Sequence, residues 1–250
     1  MIETFFTQLV IPESCQLDKR IFKKMFYDNG QLNAADKKAF SDDIDEIIWR
    51  YTLKPETINI PRYDDADHEY HEIAIIQIGL KDTKQLKRIA QIIQRSIPYP
   101  VLLVLTQHNT LLLNTADKRI NKVDQTKIVI DETLYTDWLD LEQLLDYQRE
   151  FLQQFSMKQF SYQDLYRTYL DMIDKIVNLN CGKITGKFGN NSHTEDIDRR
   201  ACLAEIHQLE LQRNELRSAL KKENQFNRQI DLNVQIKQLE QYITSVQNTL

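Results

Sequence analysis

The sequence predicts an α+β fold: a mixed sheet with a strand-helix-strand-strand core flanked by helices, followed by a C-terminal coiled coil. Three observations lead there. Ile73-Ala74-Ile75-Ile76-Gln77-Ile78-Gly79-Leu80 is almost continuously apolar and rich in branched side chains, the composition of a strand buried on both faces. The segment after it repeats apolar residues at three- and four-residue steps, the period of a helix packed on one side. Beyond Arg199, leucine and isoleucine recur at the same alternating steps through a stretch without glycine or proline, as a narrow helical seam requires.

Taken in order, the chain opens with an apolar run, Phe5 to Ile11, stopped by Pro12. Asp18 can cap a helix that ends at Asn29-Gly30 and buries Phe22, Met25 and Phe26. A second helix is expected from Asn33 to about Leu53, with Phe40, Ile44, Ile47, Ile48 and Tyr51 inward and Asp42, Asp43, Asp45 and Glu46 outward. Thr57 to Ile60, between Pro55 and Pro61, suits an edge strand, where a missing donor costs little.

After the central strand, Asp82 can cap a helix to about Ser96 with Leu86, Ile89, Ala90, Ile93 and Ile97 on one face, ended by Pro98 and Pro100. Val101 to Thr106 reads as a second buried strand, turned by Gln107-His108-Asn109 into Leu111-Leu112-Leu113. Ala116 to Thr126 reads as polar loop, and Lys127 to Asp131 as a further strand. Asp137 then caps a helix through Phe155, and Ser161 with Asp164 opens another whose stripe is Leu165, Tyr166, Tyr169, Ile173, Ile176 and Val177.

Residues 181–198 hold three of the five glycines, so the chain divides into a core domain (1–180), a linker (181–198) and a coiled-coil tail (199–250). The tail carries two seams, Ile206-Leu209-Arg213-Leu216-Leu220 and Leu232-Ile236-Leu239-Ile243-Val246-Leu250, out of phase by two residues. Between them nothing breaks a helix, which favours one continuous helix with a register change. Oligomerisation would then run through Leu209, Leu216, Leu220, Phe226, Asn233, Ile236, Leu239 and Ile243, with the amides fixing register.

The balance of 32 Lys+Arg against 37 Asp+Glu, a net charge of -5, argues against a general nucleic-acid coat and leaves room for local basic patches. Cys15, Cys181 and Cys202 lack metal-type spacing, so free thiols in a reducing compartment are expected. With no basic, apolar leader and no run long enough to span a bilayer, a soluble cytoplasmic protein is expected.

No catalytic set stands out. The sharpest enzymatic reading is a restriction-type nuclease, in which carboxylates before and on a strand hold a divalent metal and a lysine two residues on supports the attacking water. Asp65, Glu72, Gln77 and Lys81 are the candidates, but Gly79 stands where the lysine belongs. His68 and His71 are not spaced to share a metal on extended chain, and Gly182 to Phe188 fails as a phosphate loop. No cofactor is expected. A basic stripe of Lys84, Lys87, Arg88 and Arg95, joined by Lys118, Arg119 and Lys122, is a candidate surface for phosphate or an acidic partner.

Several blocks carry a family resemblance: Ile11-Pro12-Glu13-Ser14, Lys19-Arg20-Ile21, Ile47-Ile48-Trp49-Arg50-Tyr51, Lys54-Pro55-Glu56-Thr57-Ile58-Asn59-Ile60, Ile97-Pro98-Tyr99-Pro100, Lys118-Arg119-Ile120-Asn121, Thr136-Asp137-Trp138-Leu139 and Lys222 to Gln229. In this order they resemble the uncharacterised bacterial family catalogued as domain of unknown function four-three-nine-one, over nearly the whole chain. The resemblance implies no activity. It implies a setting, since members are encoded beside helicase and DNA methyltransferase genes in islands resembling restriction or phage-defence systems. The expectation is therefore a non-catalytic accessory subunit that oligomerises through its tail and docks a helicase, a methyltransferase or nucleic acid. A divergent metal-dependent nuclease and a nucleic-acid clamp are the alternatives.

Overall fold

The computed structural model describes residues 1–29, 32–124, 128–189 and 193–250. They form two compact units, Met1–Ile176 and Val177–Leu250.

In chain order, the first unit runs through α1 (Ile2–Gln8), β1 (Gln16–Arg20), α2 (Lys24–Asn29), α3 (Ala34–Asp42), β2 (Ile44–Leu53) and the single-turn α4 (Pro55–Ile58). A small hairpin, β3 (Tyr63–Asp64) and β4 (Glu69–Tyr70), leads into β5 (Ile73–Leu80), α5 (Leu86–Ser96), β6 (Val101–Gln107), β7 (Thr110–Ile120), β8 (Ile128–Tyr135) and β9 (Leu139–Asp140). Helices α6 (Asp146–Gln154) and α7 (Leu165–Thr185) follow, the latter crossing into the second unit. The sheet order is β1-β2-β5-β6-β7-β8, with β9 beside β7. Among the described residues only β5 and β6 pair in parallel, and α5 makes their crossover. This is the expected strand-helix-strand-strand core in an α+β fold.

Both faces of β5 are covered. On one, Ile76 and Ile78 pack with Ile89 and Ile93 of α5, Phe40 of α3 and Phe26 of α2. On the other, Phe5 of α1 stacks on Phe155, the Phe6 ring lies tilted against Tyr51 at 6.2 Å, and the buried Tyr169 hydroxyl of α7 donates to the Val101 carbonyl at 2.9 Å. Each fully buried isoleucine contributes about 2–3 kcal/mol by its removal from water.

Several elements differ from expectation. Residues 16–20 are an edge strand rather than helix, because β2 offers a ladder: Lys19 lies opposite Trp49, and Ile21 continues the pairing through a 2.9 Å bond to the Ile47 carbonyl. Phe26 is buried, but Phe22 and Met25 are 71% and 56% exposed. The capping box at Asn33 and Asp36 forms, yet its helix stops at Asp42 and residues 44–53 are strand. Ile44, Ile47, Ile48, Trp49 and Tyr51 satisfy either period, and pairing on both edges decides for the strand. Thr57 lies in the single-turn α4, with Pro55 in its first turn and Asn59 in the left-handed region at φ 57°. Strand β7 continues through residues taken for loop, because β8 pairs with it as far as Ile120. Residues 139–140 form β9 against β7, so the following helix opens only at Asp146.

In the second unit α7 extends to Thr185, and α8 (His193–Lys222) and α9 (Phe226–Gln247) form a helical hairpin. Its antiparallel sense follows from Arg217–Glu240, Glu205–Tyr242 and Cys202–Val246 contacts. The continuous helix that the absence of Gly and Pro favours is thus overturned. Glu223 makes the break: its carboxylate accepts the Asn224 and Gln225 amides at 2.8 Å each, and its carbonyl accepts the Gln229 side chain at 2.7 Å. No helix among the described residues is long and apolar enough to cross a membrane.

Ile76→Ala should destabilise the first unit by about 2–5 kcal/mol in urea denaturation, as expected for a cavity beneath α5 that cannot collapse. A loss of less than about 1 kcal/mol would mean the two faces repack freely.

Candidate functional site

Polar groups converge at one place on the sheet, around Arg50. Opposite β5, Trp49 meets Ile76 and Tyr51 meets Ile75, so Arg50 is the extra residue of a β-bulge, a feature that re-aims a side chain. A second irregularity in β1 holds Asp18 at φ 42° and brings its carboxylate to Arg50 Nη1 at 3.1 Å. Arg50 Nε donates to Gln77 Oε1 on β5 at 2.7 Å, and Nη2 donates to Glu3 on α1. The Phe6 ring lies 4.6 Å from the guanidinium carbon. Gln77 then donates to Thr106 Oγ1 on β6 at 3.4 Å. One planar fork therefore ties α1 and three strands together. Partial burial pushes the Asp18 carboxyl up, but hydrogen bonds from Gln16 and Arg50 and the guanidinium charge outweigh it, leaving the group below its usual range.

This arrangement accounts for Gln77 and separates it from the other nuclease candidates. Asp65 sits in the β3–β4 turn, accepting the Asp67 and His68 amides at 2.7 Å each and the Tyr63 hydroxyl at 2.8 Å. Burial raises its pKa, and those bonds bring it down to about 2. Glu72 pairs with Lys54 at 2.9 Å beyond one end of β5, and Lys81 approaches Asp45 at 3.8 Å beyond the other. Nine residues of extended chain put Glu72 and Lys81 about 30 Å apart, too far to share one ion. His68 and His71 face different aspartates, Asp65 and Asp64. Among the described residues no three His, Cys, Asp or Glu side chains are grouped to hold a metal.

The basic stripe is largely compensated. Arg88 forms a two-pronged pair with the buried Asp36 at 2.7 and 2.8 Å, Lys84 meets Asp82 at 2.8 Å, Arg119 meets Asp131 at 2.5 Å and Lys122 meets Asp67 at 3.1 Å. Lys87 lies 6.0 Å from the Tyr135 ring, and Arg95 is exposed. Lys118 does not belong to the stripe at all. It is 3% exposed and donates to the Ile97 and Tyr99 carbonyls at 2.9 and 2.8 Å. Those carbonyls precede Pro98 and Pro100, which have no N–H to offer a neighbour, so the amine supplies what the turn lacks. Burial holds its pKa well below that of an ordinary lysine. A cleft of about 560 Å³ adjoins it, lined among others by Lys54, Glu72, Tyr99 and Arg119; there Lys54 pairs with Glu72, and Arg119 with Asp131.

In the hairpin, Ile236 and Ile243 are buried, whereas Leu209, Leu216, Leu220 and Leu239 are half-buried. Phe226 is exposed, and Asn233 donates to the Gln229 carbonyl in its own helix at 2.8 Å.

The family model described as Domain of unknown function (DUF4391) matches residues 9–243. The chain belongs to this family. The match takes in β1, β2 and β5, hence Asp18, Arg50 and Gln77, and most of the hairpin. No curated protein and no solved structure matches the chain.

Arg50 escaped the sequence because a bulge depends on the mismatch of two distant strands. Its one visible signal is a lone cation inside the apolar and aromatic run Ile47 to Tyr51.

Two pH measurements check the electrostatics. The Arg88 hydrogen bonds, the largest influence, hold the Asp36 carboxyl below its usual range. The stability gap between the native chain and Arg88→Met should therefore be full above about pH 4 and close as pH falls through the folded-state value. A gap unchanged at pH 2 would assign it to packing. For Lys118→Met the direction reverses: native stability relative to the variant should rise as pH approaches about 10, where the unfolded lysine must still give up its proton and the folded amine need not. A flat difference would mean that the buried amine stays charged.

Proposed function

We propose that the chain is a non-catalytic accessory subunit that assembles through its helical hairpin, in the helicase- or methyltransferase-associated setting that the family resemblance implies. The observation that carries this reading is the uncovered apolar surface of the hairpin. Two helices close a seam on one side only, and Leu209, Leu216, Leu220 and Leu239 stay half open. On α9 a further stripe, Phe226, Ile230 and Val234 at four-residue steps, is 72%, 46% and 50% exposed. Pairing with a second hairpin into a four-helix bundle would cover such surfaces. The Arg50 cluster supports the non-catalytic part. A guanidinium stands between the carboxylates of Glu3 and Asp18, so both acids are already answered by a fixed cation.

Light scattering of the full chain should give a multiple of 29.7 kDa, and Phe226→Asp with Ile230→Asp should return it to the monomer. A native monomer at micromolar concentration sinks assembly with itself. Magnesium- or manganese-dependent DNA cleavage lost in Lys81→Ala would overturn the non-catalytic reading.

A further inference from the structure

The segment from Lys19 to Met25 carries four cations, Lys19, Arg20, Lys23 and Lys24, around Phe22, in a chain whose net charge is -5. It begins on β1, the edge of the sheet, every residue of which is exposed. Lys19 and Arg20 point to opposite sides of that edge by strand alternation. Unlike most of the α5 stripe, Lys19, Arg20 and Lys24 form no ion pair among the described residues. Two acids close by are held by other residues. Asp18 is held by Arg50, and Asp45 by Lys81, while Asp42 and Asp45 face Lys23.

The apolar residues here are displayed by a firm support. Ile21 packs on the core, Phe26 is buried with its ring 5.6 Å from that of Phe40, and Lys23 Nζ donates to the Ile44 carbonyl at 2.6 Å. Between those anchors Phe22 is turned out with 71% exposure and Met25 with 56%. An aromatic ring held outward among unpaired cations matches the recognition of single-stranded nucleic acid, where phosphates meet the cations and a base stacks on the ring. A duplex would use the charges but leave the ring idle, since its bases are stacked inside. A membrane-surface element needs a continuous apolar face, and here cations interrupt it.

We propose that Lys19–Met25 is a docking surface for single-stranded nucleic acid, with phosphates on Lys19, Arg20 and Lys24 and a base on Phe22. It stands independently of assembly through the hairpin. The test is fluorescence anisotropy of a labelled oligothymidylate of about 15 nucleotides with the full chain. Three phosphate contacts on a single strand predict a log–log salt slope of about -2, or roughly 20-fold weaker binding from about 50 to 200 mM salt. Lys19→Ala and Lys24→Ala should each remove about 0.7 from the slope. Phe22→Leu should weaken binding at least about 5-fold without changing the slope, and Phe22→Trp should retain it. These positions are exposed, so thermal melting should be unchanged in all four variants. The proposal is overturned by no saturable binding at the lower salt, by binding that Phe22→Leu leaves intact, or by a duplex of equal length binding as tightly. Binding only to phosphatidylserine vesicles would assign the surface to a membrane and overturn it too.

Discussion

Strand β5 lies between an antiparallel neighbour and a parallel one, with both faces dry, and most other features of the first unit answer to that position. A parallel pair needs a crossover, which puts α5 on one face; the opposite face must then be closed from elsewhere in the chain. That duty falls to α1 from the beginning of the chain and to α6 and α7 from beyond the sheet, with Met157 bonded to the Leu9 carbonyl at 2.9 Å. Closure of the core is thus non-local even though its centre is a contiguous stretch.

A dry sheet sets strict terms for polar groups, because an unpaired one inside costs more than a pair contributes. Gln77 meets those terms by serving Arg50 and Thr106 at once. Gln94 on α5 meets them in part: its amide nitrogen donates to Asn114 at 3.0 Å and to the Val101 carbonyl at 3.1 Å, while its buried Oε1 has no partner among the described residues. Lys118 closes a turn whose prolines cannot close it themselves. Residue types that suggest chemistry in a sequence here hold the architecture, and the geometry of their partners distinguishes the two roles.

How much was legible follows from the same distinction. β5, β6 and the start of β7 are continuous apolar runs, α5 shows one helical period, and Pro98 and Pro100 separate α5 from β6, so their order and burial could be read directly. β2 could not, because its apolar residues satisfy both periods and only the ladders on its two edges choose. The Arg50 cluster was illegible for a deeper reason: it exists through bulges in two strands that no single segment encodes. Phe22 and Met25 were misread inward because a helical stripe with Phe26 is plausible until edge pairing takes Lys19 to Ile21 away from it.

The tail shows why spacing specifies a seam but not its partner. Its leucines require a second helix, and the requirement is met equally by another chain or by a return of the same one. What chooses is local: Glu223 offers its carboxylate to two successive amides, giving the backbone an alternative to helix at the one place where the two seams disagree in phase. The return is incomplete as burial, however, because two helices enclose less apolar surface than these carry. Phe226, Ile230 and Val234 lie on the arm that begins at that break, so the feature that folds the hairpin also sets where its uncovered face begins.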